Sequence, residues 1–112
     1  MAVSPIKFKR GSSFSLSLNI PSNIANGSFY GWTIKAQIRK KDNDLPNGLI
    51  ADLICRWVDP NATRTLIIEH NSTDEWPICD AEFDVLFISP NGQRVRSNTV
   101  PVIIQRGVTH NG

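Results

Sequence analysis

The sequence predicts an all-β protein: a single antiparallel β-sandwich, Ig-like or jelly-roll-like, of about seven strands. Three observations predict it. Apolar residues recur at every second position through most of the apolar runs, the period of a half-buried strand. The gaps between runs concentrate Pro, Gly, Asn and Asp, which supply the fixed or positive φ values of tight reversals. The 3.6-residue period of an amphipathic helix is missing from all but one short stretch. The 112 residues suit one domain, residues 1–112. A domain of that size buries roughly two-thirds of the surface of its unfolded chain and holds a core without metal or disulfide.

Residues 1–8 read as an extended arm, in which Ile6 and Phe8 are offered to a neighbouring chain as an added strand. Lys7, Lys9 and Arg10 follow the pattern of a solvated edge guarded by cations. In FSLSLNI, Phe14, Leu16, Leu18 and Ile20 share one face, opposite Ser15, Ser17 and Asn19. In WTIKAQIRK, Trp32, Ile34, Ala36 and Ile38 alternate with Thr33, Lys35, Gln37 and Arg39. In LIADLICRW, Leu49, Ala51, Leu53, Cys55 and Trp57 point inward, which leaves Ile50, Ile54 and later Val58 outside. A shorter strand runs over Arg64–His70.

Ser72-Thr73-Asp74-Glu75 fits a capping box and predicts one short helical turn near Ser72–Glu75, which Pro77 ends. The next strand lies in WPICDAEFDVLF, with Cys79, Ala81, Phe83, Val85 and Phe87 inward. Ser89-Pro90-Asn91-Gly92 predicts a hairpin into the strand that begins near Gln93. Pro101 lacks an N–H and marks the last strand as an edge or as broken there. Residues 108–112 read as a tail.

With 12 Lys+Arg against 10 Asp+Glu, the charge is too balanced to point to nucleic acid or a membrane surface. MAVSPIKFKRGSS lacks the apolar core of a secretory signal, so a cytoplasmic product with two free, buried thiols, Cys55 and Cys79, is expected. The Asn-x-Ser/Thr matches at Asn26, Asn61 and Asn71 then carry no weight. His70 and His110 have no companions at metal-ligand spacing, and no Gly-rich phosphate loop opens a helix, so neither metal nor cofactor is expected.

Asp80, Glu82 and Asp84 share the outer face of one strand, about 7 Å apart in sequence order. That spacing admits a glycosidase acid and base, but a flat strand face offers no desolvated cleft. The expected role is a wet sheet face whose acids meet Arg94 and Arg96 across the hairpin, or Lys35 and Arg39. The same face turns apolar at Leu86 and Ile88, which together with Ile50 and Ile54 marks a candidate partner surface. Trp32 and Trp57 fall on core faces, and Trp76 is expected to plug one end of the sandwich. Stacking of these rings on sugars, as in a carbohydrate-binding module, is the alternative of another class.

The order FKRGSSFSLSL, GWTIKAQIRK, LIADLICRW, a Trp-Pro turn, DVLFISPNG and VPVIIQRGVT resembles the small β-sandwich virion proteins of tailed bacteriophages. These occur as capsid decoration (cement) proteins and as tail or baseplate adaptors. The resemblance runs from Phe8 to Thr109 and rests on Arg10-Gly11, Gly31-Trp32-Thr33, Gln37-Ile38-Arg39, Trp76-Pro77 and Gly107-Val108-Thr109. Ile78-Cys79 departs from it, since relatives often carry Gly after the Trp-Pro pair. The resemblance implies a non-enzymatic virion protein, made in the bacterial cytoplasm, that works by surface burial. Its implied partner is the major capsid protein, with homo-oligomer contacts, and the tail or baseplate role is the nearest alternative.

Overall fold

The computed structural model describes residues 5–109. The fold is all-β. Its strands are β1 (Ile6–Lys9), β2 (Phe14–Asn19), β3 (Thr33–Lys40), β4 (Leu49–Trp57), β5 (Thr65–His70), β6 (Cys79–Ile88), β7 (Arg94–Arg96) and β8 (Val100–Gln105). They follow one hydrogen-bonded path, β1-β8-β6-β3-β4-β5-β2, with β7 added beside β6.

The path folds into two layers because β4 belongs to both. Its Leu49 and Ala51–Leu53 pair with β3, and its Ile54–Trp57 pair with β5. The end strands β1 and β2 are joined by only residues 10–13, so the curled sheet almost closes on itself. The rings of Phe8 and Phe14 meet across this seam at 5.1 Å. Along β6 the alternation is as expected, with Ala81, Phe83, Val85 and Phe87 buried.

Two aromatic groups fill the two ends of the interior. Trp76 is 3% exposed and lies 5.5 Å from Phe8 and 5.4 Å from Phe14, centroid to centroid. At the other end Phe29 sits 4.7 Å from Phe87 and 5.0 Å from Trp32, with Trp57 stacked beside it. Phe83 and Phe87, one in each group, are four residues apart on β6 and so about 13 Å apart. Phe29 reaches the core from the long β2–β3 connection. The Arg64 guanidinium holds that connection through the carbonyls of Ile20, Pro21 and Ile24.

The hairpin at Ser89–Gly92 closes as the sequence predicts. Gly92 donates its N–H to Ser89 O at 3.0 Å, Ser89 N–H donates to Gln93 O at 2.8 Å, and Gly92 sits at φ 93°. That is a type I turn followed by a left-handed residue, a conformation that glycine adopts without strain. Ser97–Thr99 then oppose Asp84 and Val85, since Leu86 pairs with Arg96 and Phe83 with Val100. This one-residue excess is a β-bulge. Ser97 keeps Val85 satisfied across it: its Oγ accepts the Val85 N–H and its own N–H donates to Val85 O, both at 2.9 Å. β7 and β8 are therefore one bulged strand.

Four expectations change. β1 pairs with β8 in parallel, so the sheet is mixed. Ile6 and Phe8 are thereby held in the chain's own sheet rather than in an extended arm, because Phe8 gains the Phe14 and Trp76 rings. Residues 1–4 of that arm, and 110–112 of the tail, lie outside the described residues. Pro101 is in an interior strand. It is accommodated because β1 covers β8 only from Val102 onward. Finally, the helical turn is displaced. Thr73–Trp76 forms a reverse turn, in which Trp76 N–H donates to Thr73 O at 3.1 Å, and a 3-10 turn lies at Pro46–Gly48 instead. Thr73 Oγ1 bonds the β1–β2 link rather than starting a helix. Pro46 presets φ for the 3-10 turn, and Gly48 is required there because a Cβ would lie 2.4 Å from Asn43 O.

Both cysteines carry free thiols. Burial pushes the Cys55 thiol from 9.0 up to about 11. Cys79 is also raised, chiefly by burial, with Lys40 opposing and Asp80 adding. At pH 8 Cys55 then holds about 100-fold less thiolate than an ordinary thiol. Native protein is expected to react slowly with a thiol reagent at that pH and quickly once unfolded. Equal rates would show Cys55 to be open. The folded state holds this proton more tightly than the unfolded chain. Its contribution to stability is complete below pH 9.0 and is lost as pH climbs toward about 11.

Candidate docking face

Each carboxylate of the outer row belongs to a different cross-strand pair. Asp84 faces Gln37 on β3, Glu82 faces Arg39, and Asp80 faces Ile103 on β8. One row further along, Leu86 lies between Lys35 and Arg96, and Ile88 lies between Thr33 and Arg94. The apolar end of the row is thus bracketed by three cations. An open hollow of about 750 Å³ spans Lys35, Asp52, Glu82, Asp84, Leu86 and Arg96.

Polar partners occupy three acids of this hollow, Asp84, Asp52 and Glu82. Asp84 Oδ1 is 3.6 Å from Arg96 Nη1. Asp52 Oδ1 accepts from Gln37 Nε2 at 2.8 Å, and Glu82 Oε2 accepts the Asp42 N–H at 3.4 Å. The expected match of the acids to both arginines therefore narrows to one pair. The hairpin register sets Arg94 opposite Ile88, four residues beyond Asp84. Arg39 faces Glu82 but spends its guanidinium on Leu45 O and Gln37 Oε1. The Arg96–Asp84 pair is solvent-exposed, so it is worth about 0–1 kcal/mol.

The candidate apolar residues divide. Ile54 is 56% exposed where β4 passes from β3 to β5, and Leu86 and Ile88 are half-buried on the outer side of β6. Ile50 turns inward and packs against the core. The register shift at Ile38/Arg39 pairs Arg39 with Leu49 and skips Ile50. This bulge reverses the alternation and leaves Leu49 exposed in its place. Phe8 packs against the core, and Ile6 is half-buried on the inner side of β1. Sequence reading missed Leu49, because strict alternation places it inside. It also missed Val95, which is exposed at the open flank of the short β7.

The three tryptophans contribute to the core: Trp76 is buried, and Trp32 and Trp57 are half-buried. The ring of Trp76, which the carbohydrate-binding alternative would need free, is taken up by Phe8, Phe14 and His70. His70 Nδ1 accepts the Ser72 N–H at 3.2 Å. Among the described residues, no group of three or more His, Cys, Asp or Glu is placed to hold a metal ion. Comparison with protein-family models and with curated proteins finds no match to this chain.

Proposed function

We propose that this chain is a non-enzymatic structural protein of a tailed-phage virion, a capsid decoration protein that docks on the major capsid protein. The observation that carries the docking role is the outer face of β3, β6 and β7, where half-buried Leu86 and Ile88 lie among Lys35, Arg94 and Arg96, with exposed Ile54 on β4 beyond β3. Apolar side chains within a polar rim are the anatomy of an interface core. They sit on paired strands rather than loops, so little ordering cost opposes binding. The cations favour a partner surface that is apolar with acidic margins. The virion assignment itself rests on the resemblance carried by Phe8–Thr109. A tail or baseplate adaptor is the nearest alternative, and the same face serves it.

The double variant Ile54→Glu/Leu86→Glu tests the docking role. Both residues point away from the core, so the fold should persist by circular dichroism. Co-sedimentation with purified particles is expected to fall about tenfold or more, the size of a lost central apolar contact. Binding at the wild-type level would remove this face from the proposal.

A further inference from the structure

The fold has three free strand edges among the described residues, and they are not alike. β1 carries Lys7 and Lys9 on its outer face, and β7 carries Arg94 and Arg96. A second copy of either strand placed alongside would bring like charges together, the usual protection of an edge. β2 has no such guard: its outer residues are Ser15, Ser17 and Asn19.

The backbone of β2 is set to receive a strand. Ile20 N–H donates to Arg64 O at 2.8 Å, in register with the Leu18–Leu66 and Leu16–Ile68 pairs. Hydrogen-bonding direction alternates along an antiparallel ladder. The even-numbered residues of β2 therefore bond to β5, and the N–H and C=O groups of Ser15, Ser17 and Asn19 point to the free side. All three residues are exposed. On the inner face Leu16 and Leu18 are only half-buried, whereas their partners Ile68 and Leu66 on β5 are buried. The seam beside β2 leaves apolar surface for an added strand to cover.

We infer that β2 pairs with β2 of a second copy of this chain, antiparallel about a two-fold axis at Ser17. A two-fold contact needs a self-complementary strand, in which residue i faces j and j faces i. The run from Phe14 to Ile20 meets this condition. About Ser17 it sets Leu16 opposite Leu18, Ser15 opposite Asn19 and Phe14 opposite Ile20. Apolar side chains meet on the inner face and neutral polar ones on the outer face. The backbone groups of Ser15, Ser17 and Asn19 then bond their counterparts, and the sheet runs on through both molecules. This contact uses neither β6 nor β7, so it leaves the docking face open and stands whether or not the chain is a virion part.

Sedimentation velocity on the full chain and two double variants tests it. The wild type is expected to sediment as a dimer. S15K/N19K brings lysine against lysine at both ends of the pairing and is expected to sediment as a monomer. S15E/N19K brings glutamate against lysine and is expected to remain a dimer. The altered side chains are exposed, and circular dichroism checks that each variant folds. A monomeric wild type overturns the inference. So does S15K/N19K that stays dimeric, or S15E/N19K that dissociates.

Discussion

Trp76→Ala is expected to lower the unfolding free energy by about 3–5 kcal/mol, the cost of deleting a large buried aromatic. Trp76 is 3% exposed and touches the rings of Phe8, Phe14 and His70. These rings come from β1, β2 and β5, with Trp76 itself just ahead of β6. Removing the indole leaves a void where both layers and the seam converge. Collapse into it would pull β1 away from β8, so little relaxation is available. Urea unfolding should show a lower midpoint with an unchanged slope. A loss under about 1 kcal/mol would mean that Trp76 is not the plug of this end. It would also reopen the sugar-stacking alternative.

Thr73→Val is expected to cost about 1–3 kcal/mol although shape and volume hardly change. Thr73 is 1% exposed. Its Oγ1 accepts the Gly11 N–H at 2.9 Å and its hydroxyl donates to Ser12 O at 2.6 Å. One hydroxyl thus satisfies both sides of the link that joins β1 to β2 at opposite ends of the sheet. Valine leaves both of these part-buried hydrogen bonds without their partner. Thr73→Ser keeps the hydroxyl and should recover most of the loss. If the valine variant unfolds at the wild-type midpoint, the hydrogen bonds contribute nothing.

Thr73 also shows why part of the fold escapes sequence reading. Ser72-x-x-Glu75 has the spacing of a capping box, yet Thr73 bonds backbone more than sixty residues away in sequence. Local pattern cannot report such a distant competitor. The same holds for β1. Four residues with period two identify a strand, but only the fold reveals that its neighbour is β8 and that the pairing is parallel. Regular alternation was legible on a strand with no extra residue of its own, as on β6, where the bulge lies in its partner. It failed at Ile50, where a bulge against β3 exchanges inside for outside. Bulges leave no period of their own.

The candidate face was legible in composition but not in pairing. The change from acids to Leu86 and Ile88 along one strand can be read directly from residues two apart. The cations that bracket them come from β3 and β7, and the hairpin register decides which acid they reach. The turn at Ser89–Gly92 was recognisable, but the register it sets placed Arg96 beside Asp84 and took Arg94 past the row.

Electron cryo-microscopy of purified particles that contain this chain tests the central claim most directly. The proposal predicts density for this β-sandwich on the capsid shell, repeated at the shell's symmetry positions, with Ile54, Leu86 and Ile88 against the major capsid protein. A few copies in a tail ring would move the chain to the adaptor role. Particles without this density, or with the β6 outer face turned to solvent, would contradict the account.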